Sequence, residues 1–384
     1  MIKKINEVAI TKFKKTGILR PIYVRQIEDW LDRPEIIIIK GIRRCGKSTI
    51  LQQVASRTKK RSVYINFDDY RLLQDLNITL LEETIKAFPD YDYYFFDEIQ
   101  KVKGFEKWLR TNYDIKSHKK FIISGSNISL FTPSLGTVLT GRNITFEIFP
   151  FNYKEAKEHI SFEDYLLYGG FPEVILEKDK EKKKLLLTQY FDDILLRDIF
   201  ERYPIVATQQ FKALAQYIIS NTGIKISANK LAKELNINSR SAESYLSYLI
   251  DAYLIFEVPF FSYSAKTKYI AGRASKYYVM DNGLALSGRK NSGHLSESLV
   301  AQRLRQKNRD DLYYWSEKNE VDFVSDNTAY NVVTSKKIPE RELLGLEDIK
   351  RSKKFIKKTC IINEIKDKKG SVEFKKIASF LLDE

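Results

Sequence analysis

The sequence predicts an α/β protein whose amino-terminal part is built on a parallel sheet, and three segments support this prediction. Residues 35–49 join an apolar run to a glycine-rich turn and then to a helical pattern. Residues 93–98 form a second apolar run that ends in two carboxylates, and residues 120–127 form a third that ends in small polar residues. Apolar runs of this length between helical patterns are typical of strands buried on both faces.

The glycine-rich turn has the pattern G-x-x-x-x-G-K-S of a phosphate-binding P-loop. Gly41 and Gly46 allow a tight turn in which successive N–H groups surround phosphates. Lys47 would meet the terminal phosphates, and the Ser48 hydroxyl would complete a Mg²⁺ shell. The flanking strand and helix favour this interpretation over an ordinary turn. The residues expected to bind nucleotide are Gly41, Ile42, Arg43, Arg44, Cys45, Gly46, Lys47, Ser48 and Thr49.

The carboxylates of the second run are expected to complete the site. Asp97 would hold Mg²⁺ through its water shell, and Glu98 would orient or deprotonate the attacking water, as in a Walker B element. An acidic pair of this kind can also be a helix cap, but the P-loop upstream favours the metal site. Ser126 or Asn127 could reach the γ-phosphate or the water, because ligands bind at the carboxyl edge of a parallel sheet. A plain Ser/Gly turn is the alternative there.

Length and composition limit the class of protein to which this chain can belong. The 384 residues predict two or three domains, and the chain lacks an apolar run long enough to span a bilayer or to serve as a signal peptide. We therefore expect a cytoplasmic protein without a membrane partner. Two cysteines and three scattered histidines favour neither a disulfide framework nor a structural zinc site. The net charge of +15 would attract polyanions such as DNA, although the lysine runs also fit solvated helix faces.

Five short motifs together give a specific resemblance, and they lie at residues 41–48, 95–100, 123–127, 139–142 and 149–151. With these motifs the chain resembles a prokaryotic family of AAA+ P-loop ATPases that carry a winged helix and a restriction-endonuclease-like carboxy-terminal region. The resemblance covers nearly the whole chain and is strongest before residue 151.

The resemblance implies ATP and Mg²⁺ as cofactors and places the third apolar strand between the other two. It also implies that Asn127 is a polar sensor and that Arg142 faces a phosphate, within one chain or across a subunit boundary. Arg142 could instead be a member of a surface ion pair. The catalytic set implied is Lys47, Asp97, Glu98, Asn127 and Arg142, with Ser48 and Asp97 at the metal.

Length alone favours two or three domains, but the motifs and the resemblance predict four: an AAA+ P-loop domain over 1–150, a helical lid over 151–205, a winged helix-turn-helix over 206–262 and a restriction-endonuclease-like domain over 263–384. In the third, Ser239 is the expected N-cap of the second helix, and Arg240 lies at the exposed start that enters a major groove in DNA-binding proteins. Such units also serve as protein contacts.

In the fourth domain, Glu297 and Asp322 match two acidic positions of active nucleases. Asn331-Val332-Val333 stands where a Glu-x-Lys is required, so one metal ligand and the water-activating lysine are missing. Lys336 or Lys337 could replace that lysine. We expect an inactive scaffold.

The sequence thus predicts an ATP-binding, Mg²⁺-dependent ATPase switch that could act on DNA and could form a homo-oligomer. An ATP-gated nuclease is one alternative. The other is a non-catalytic DNA- or protein-binding regulator that uses ATP to control its oligomeric state.

Overall fold

A computed structural model describes residues 1–14, 16–115, 118–125, 139–262, 274–287, 292–308, 311–335, 337–353, 355–363 and 372–383. The predictions for Ser126, Asn127 and Lys336 fall outside these residues. The chain divides into two compact units, Met1–Ile148 and Phe149–Glu384. Each unit is described by itself. Among the described residues, no helix combines the length and the apolar character that crossing a membrane requires.

The first unit contains a five-stranded sheet in which every pairing is parallel. Its strands are β1 (Ile36–Lys40), β2 (Ser62–Asn66), β3 (Tyr93–Asp97), β4 (Lys120–Gly125) and β5 (Asn143–Glu147), in the spatial order β2-β3-β4-β1-β5. The predicted position of the third apolar strand, between the other two, is confirmed. Because all strands run the same way, their carboxyl ends share one edge, and the ends of β1 and β3 lie on either side of β4.

Helices cover this sheet. The apolar side chains of residues 36–39 are all buried, as a central parallel strand requires. A core that includes Ile38, Phe96 and Ile123 fills the space between the sheet and its helices. The α-helices of the first unit are Ile2–Val8, Pro21–Glu28, Lys47–Arg57, Ile78–Ala87 and Phe105–Asp114, with short 3₁₀ turns at Tyr70–Leu72 and Ile99–Lys101.

The second unit begins with a helical segment. Gly170 N–H donates to the buried Asp281 carboxylate at 2.7 Å, and burial raises the pKa of Asp281 to about 7. Gly169 has φ +71°, and a Cβ there would lie 1.7 Å from that carboxylate, so the close approach requires glycine. The helices of this segment are Tyr153–Ala156, Phe162–Tyr168, Pro172–Leu176, Lys180–Asp193 and the π-helical Ile194–Phe200.

A three-stranded antiparallel sheet with three helices follows. The helices are Thr208–Ser220, Ala228–Leu235 and Ser239–Asp251, and the strands β6 (Ile224–Ile226), β7 (Ile255–Val258) and β8 (Ser275–Val279) have the order β6-β8-β7.

The expected N-cap at Ser239 is wrong by one residue. Asn238 has the extended backbone of an N-cap, and its side chain accepts a hydrogen bond from Ser241 N–H at 2.7 Å. Asparagine caps at least as well as serine, so Ser239 is already the first helical residue.

The last part of the second unit is a mixed sheet with the order β13-β12-β11-β10-β9. The strands β9 to β11 pair antiparallel, and β11 to β13 pair parallel. The strands are β9 (Tyr313–Ser316), β10 (Glu320–Ser325), β11 (Thr328–Val332), β12 (Lys358–Asn363) and β13 (Glu373–Lys376). The accompanying helices are the 3₁₀ segment Asn282–Ser287 and the α-helices Ser292–Asn308, Glu340–Ser352 and Ile377–Leu382.

Candidate functional site

The P-loop connects the carboxyl end of β1 to helix Lys47–Arg57. Gly41 has φ +150°, and a Cβ on it would lie 2.1 Å from the carbonyl oxygen of Ile148. The loop therefore packs directly on the end of β5. Cys45 is buried, and its Sγ donates to the same Ile148 oxygen at 3.4 Å. Burial raises the pKa of this thiol, which agrees with a packing role.

Lys47 points back into the turn. Its side chain is buried, and its Nζ donates to the carbonyl oxygens of Gly41 and Ile42, each at 3.0 Å. Lys47, Ser48 and Thr49 also form the first turn of the helix, where backbone N–H groups have no partner within the helix. The ammonium and these N–H groups together make a positive concave surface of the kind that binds phosphates.

Asp97 is fully buried at the end of β3, and its carboxylate is held on both sides. The Tyr64 hydroxyl donates to Oδ2 at 2.6 Å, and the Ser124 hydroxyl hydrogen-bonds Oδ1. The Ser48 side chain lies near the same Tyr64 hydroxyl and works against the rise in the Tyr64 pKa. The two predicted metal residues, Ser48 and Asp97, therefore lie within reach of one hydroxyl group, and together they offer the oxygen ligands that Mg²⁺ prefers.

Glu98 adopts a left-handed backbone conformation with φ +53°, which is uncommon for a residue other than glycine. Its N–H donates to the Ser124 hydroxyl at 3.3 Å, and its carboxylate accepts from the Gln100 amide. Dense protein surroundings raise the pKa of Glu98 and the Asp97 charge adds to this, whereas Lys47 and Arg43 lower it. Glu98 is thus electrostatically coupled to the P-loop.

The structure places Arg142 at the opposite end of the sheet. It precedes β5, and its carbonyl oxygen accepts from Ile36 N–H at the amino end of β1. Its guanidinium pairs with Asp114 at 2.8 Å and holds the pKa of that carboxyl low. The prediction that Arg142 faces the phosphate of its own chain is wrong, because the residue before a parallel strand lies at the amino edge. A role across a subunit boundary stays a prediction.

Two other predicted residues come together in the second unit. Glu297 and Asp322 both lie beside the Nζ of Lys276, on β8, at 3.2 and 3.3 Å. Lys337, which could replace the missing nuclease lysine, has an exposed side chain. Burial and the neighbouring Glu297 raise the pKa of Asp322 to about 7, while Lys276 opposes the shift. No group of three or more His, Cys, Asp or Glu side chains among the described residues has a geometry that could hold a metal.

Sequence reasoning missed Tyr64, Ser124 and Lys276. Ser124 had a weak signal, since it is the first polar side chain near the end of an apolar run. Tyrosine is common in β-strands, so Tyr64 gave no sign of a role in the sequence. Only the pairing of β2 with β3 brings its hydroxyl to Asp97. A lysine directly before two tyrosines and a valine in strand β8 was a visible signal, but its partners Glu297 and Asp322 lie 21 and 46 residues away.

Comparisons with known proteins support a P-loop domain in the first part of the chain. Residues 33–157 match the family model of an AAA domain, and residues 159–293 match a domain of unknown function, DUF8612. The Walker-type ATPase PABY2304 of Pyrococcus abyssi has a similar fold, with a TM-score of 0.51 and 16% identity over 72% of this chain and 97% of that one.

Two uncharacterized proteins are similar in sequence. One, from Haemophilus influenzae, is 28% identical over 70% of this chain and 73% of its own length. The other, from Methanocaldococcus jannaschii, is 36% identical over 78% of this chain and 74% of its own length. The chain therefore belongs to the same family as the Methanocaldococcus jannaschii protein, and its first unit contains a P-loop domain of the AAA type.

Proposed function

We propose that this protein is an ATP-binding, Mg²⁺-dependent ATPase that works as a nucleotide-controlled switch. The observation that best supports the proposal is the meeting of two separate segments at one edge of the sheet. The P-loop supplies Lys47 and Ser48, and β3 supplies Asp97 and then Glu98. A strand–turn–helix unit without nucleotide would not need two carboxylates beside its lysine.

Each side chain has a distinct role in this proposal. Lys47 and the first-turn N–H groups bind the terminal phosphates, with the loop residues from Gly41 to Thr49 around them. Ser48 and Asp97 would hold Mg²⁺, which neutralises charge on the phosphates. Glu98 orients the attacking water or accepts its proton, and its closeness to Lys47 and Arg43 agrees with that position. Asn127 would complete the set as a polar sensor.

The test separates binding from hydrolysis in the full-length protein. We expect Lys47→Ala to weaken ATP binding at least about tenfold, because a charge-assisted phosphate contact is lost. We expect Glu98→Gln to bind ATP normally and to lower kcat by about 10²–10⁴, since only the water-orienting group changes. Binding is measured by calorimetry and hydrolysis by phosphate release.

Two variants control for charge and folding. Lys107→Ala and Glu82→Gln change exposed residues on helices Phe105–Asp114 and Ile78–Ala87, and both should behave as the parent does. The proposal fails if Lys47→Ala binds ATP as the parent does, or if the parent shows no Mg²⁺-dependent hydrolysis.

A role on DNA is the finer part of the proposal. In the second unit, a short turn at Asn236–Asn238 separates two helices, and a three-stranded antiparallel sheet accompanies them. This arrangement favours a winged helix-turn-helix, whose second helix begins next to the exposed Arg240. The net charge of +15 agrees with a polyanionic partner.

The other parts of the second unit have separate roles in this proposal. The helices of 151–205 would act as the lid, and the domain from 263 onward as a restriction-endonuclease-like scaffold.

A further inference from the structure

The carboxylates Glu297 and Asp322 surround a buried lysine. Lys276 is 4% exposed, and its Nζ lies 2.7 Å from Glu320 Oε1, 3.2 Å from Glu297 Oε1 and 3.3 Å from Asp322 Oδ1. An ammonium has three N–H donors, so these three carboxylates match its donor number. A buried ammonium would be costly without such partners.

The other polar atoms of Asp322 and of its neighbour Asn331 also have hydrogen-bond partners. Asp322 Oδ2 accepts from Val332 N–H at 2.9 Å, and Asp322 N–H donates to Asn331 Oδ1 at 3.0 Å. The Asn331 amide nitrogen donates to the backbone and side-chain oxygens of Glu342, at 3.0 and 2.9 Å. Asn331, which stands where a metal-binding glutamate is expected, is therefore a fully bonded structural residue.

Glu297 is held in the same way, because the Tyr278 hydroxyl donates to its Oε1 at 2.5 Å while Lys276 approaches the same oxygen. Side chains of Glu297 and Asp322 are 19% and 17% exposed, so water screens their repulsion poorly. A positive charge between them offsets this repulsion. A tethered ammonium supplies it without the cost of stripping water from a divalent ion.

We propose that the ammonium of Lys276 takes the place of a divalent cation between Glu297 and Asp322, so that this centre binds no Mg²⁺ or Mn²⁺ and cuts no nucleic acid. The proposal goes beyond the ATPase function and does not depend on it. It gives the centre a structural task, since Lys276 on β8 links the three-stranded sheet to helix Ser292–Asn308 and to β10.

The test measures Mn²⁺ binding to the full-length protein without nucleotide, by electron paramagnetic resonance. The parent and Asp322→Asn should bind the same number of Mn²⁺ ions. Lys276→Met should gain one Mn²⁺ per chain, and Lys276→Met/Asp322→Asn should lose it. Lys276→Met should also melt at a lower temperature than the parent, and Mn²⁺ should partly restore its Tm.

Lys225→Met is the matched control. Lys225 pairs opposite Lys276 across β6 and β8 and lies 3.8 Å from Glu320 Oε2, so the change removes a neighbouring lysine of the same sheet. It should gain no Mn²⁺.

Two results would overturn the proposal. One is a folded Lys276→Met protein that gains no Asp322-dependent Mn²⁺. The other is a parent protein that already binds a Mn²⁺ which Asp322→Asn loses, or that cleaves plasmid DNA in an Asp322-dependent manner. This second comparison needs no Lys276 variant, so it decides the matter even if Lys276→Met fails to fold.

Discussion

At the scale of single residues, one hydroxyl connects the two halves of the nucleotide site. Tyr64 lies on β2, donates to Asp97 on β3 and lies near the Ser48 side chain of the P-loop. Burial, and next the Asp97 charge, raise the pKa of Tyr64 above its ordinary value, so the hydroxyl keeps its proton across the physiological range. It is therefore a permanent donor that fixes the Asp97 carboxylate in one orientation.

The raised pKa of Glu98 predicts the pH dependence of hydrolysis. Burial favours the protonated carboxyl, and only the ionised form can orient or deprotonate water, so the rate should fall as the pH is lowered through the raised pKa. The midpoint should lie above 4.5, the ordinary value of a glutamate. Steady-state kcat/KM between pH 5 and pH 9 measures it.

The matching variants make this pH profile specific. Glu98→Gln should lose the acidic limb along with most of its activity, whereas Glu82→Gln should keep both. A parent profile that is flat down to the pH at which the protein unfolds would contradict the assignment of Glu98 as the base.

At the scale of elements, the P-loop depends on β5 as much as on its own glycines. Ile148 N–H donates to Lys40 O at 2.7 Å, and Gly41 lies against the Ile148 carbonyl. The turn is thus held between β1, which begins it, and the end of an edge strand that the chain reaches much later.

This packing predicts different effects for two glycines. Gly41→Ala would force a Cβ to within 2.1 Å of Ile148 O at φ +150°. We therefore expect this substitution to lower the free energy of unfolding by about 2–4 kcal/mol and to abolish ATP binding. Gly141→Ala is the control, because Gly141 also has positive φ, at +72°, but no atom of the residues that the structure describes lies within 4 Å of the added Cβ. Gly141→Ala should lower the free energy of unfolding by about 1 kcal/mol and leave ATP binding intact.

Thermal denaturation and ATP calorimetry on both variants check this prediction. Equal effects of the two substitutions would mean that backbone strain, and not contact with Ile148, sets the requirement for glycine at position 41.

The comparison of sequence and structure separates local from non-local information. The glycine spacing and the apolar runs predicted the P-loop and the strands β1, β3 and β4, because these follow from short-range pattern, whereas the position of β4 between β1 and β3 was implied by the resemblance. The resemblance gave Arg142 a role at a phosphate, within one chain or across a subunit boundary, but it did not say at which edge of the sheet the residue lies. Lys276 could not be assigned, because its three carboxylate partners come together only when the two sheets of the second unit form.

At the scale of the whole molecule, the charge of +15 predicts salt-dependent DNA binding. We expect duplex DNA to bind with an affinity that falls linearly on a log–log plot against salt concentration. Arg240→Ala should weaken binding and reduce that slope by about one, because it removes one phosphate contact. Lys107→Ala, on the first unit, should leave the slope unchanged. Fluorescence anisotropy at several salt concentrations measures both.

The same titration, run with the ATPase assay and native mass spectrometry, separates the three functional hypotheses. Stimulation of hydrolysis by DNA favours a switch that acts on DNA, and a mass change with ATP alone favours control of the oligomeric state. DNA binding whose affinity does not change with salt concentration would argue against a contribution of the net positive charge to that affinity. The division into four domains stays a prediction.

The contact between Ile148 and the P-loop has a consequence for biosynthesis. Cys45 and Ile148 are separated by 103 residues, so a ribosome releases the nucleotide-binding turn long before it releases the residue that holds it. A nascent chain that ends before β5 would keep β1 as an edge strand with unpaired backbone groups. An exposed edge of this kind can pair with another chain, so incomplete chains that lack β5 should aggregate more readily than the finished unit.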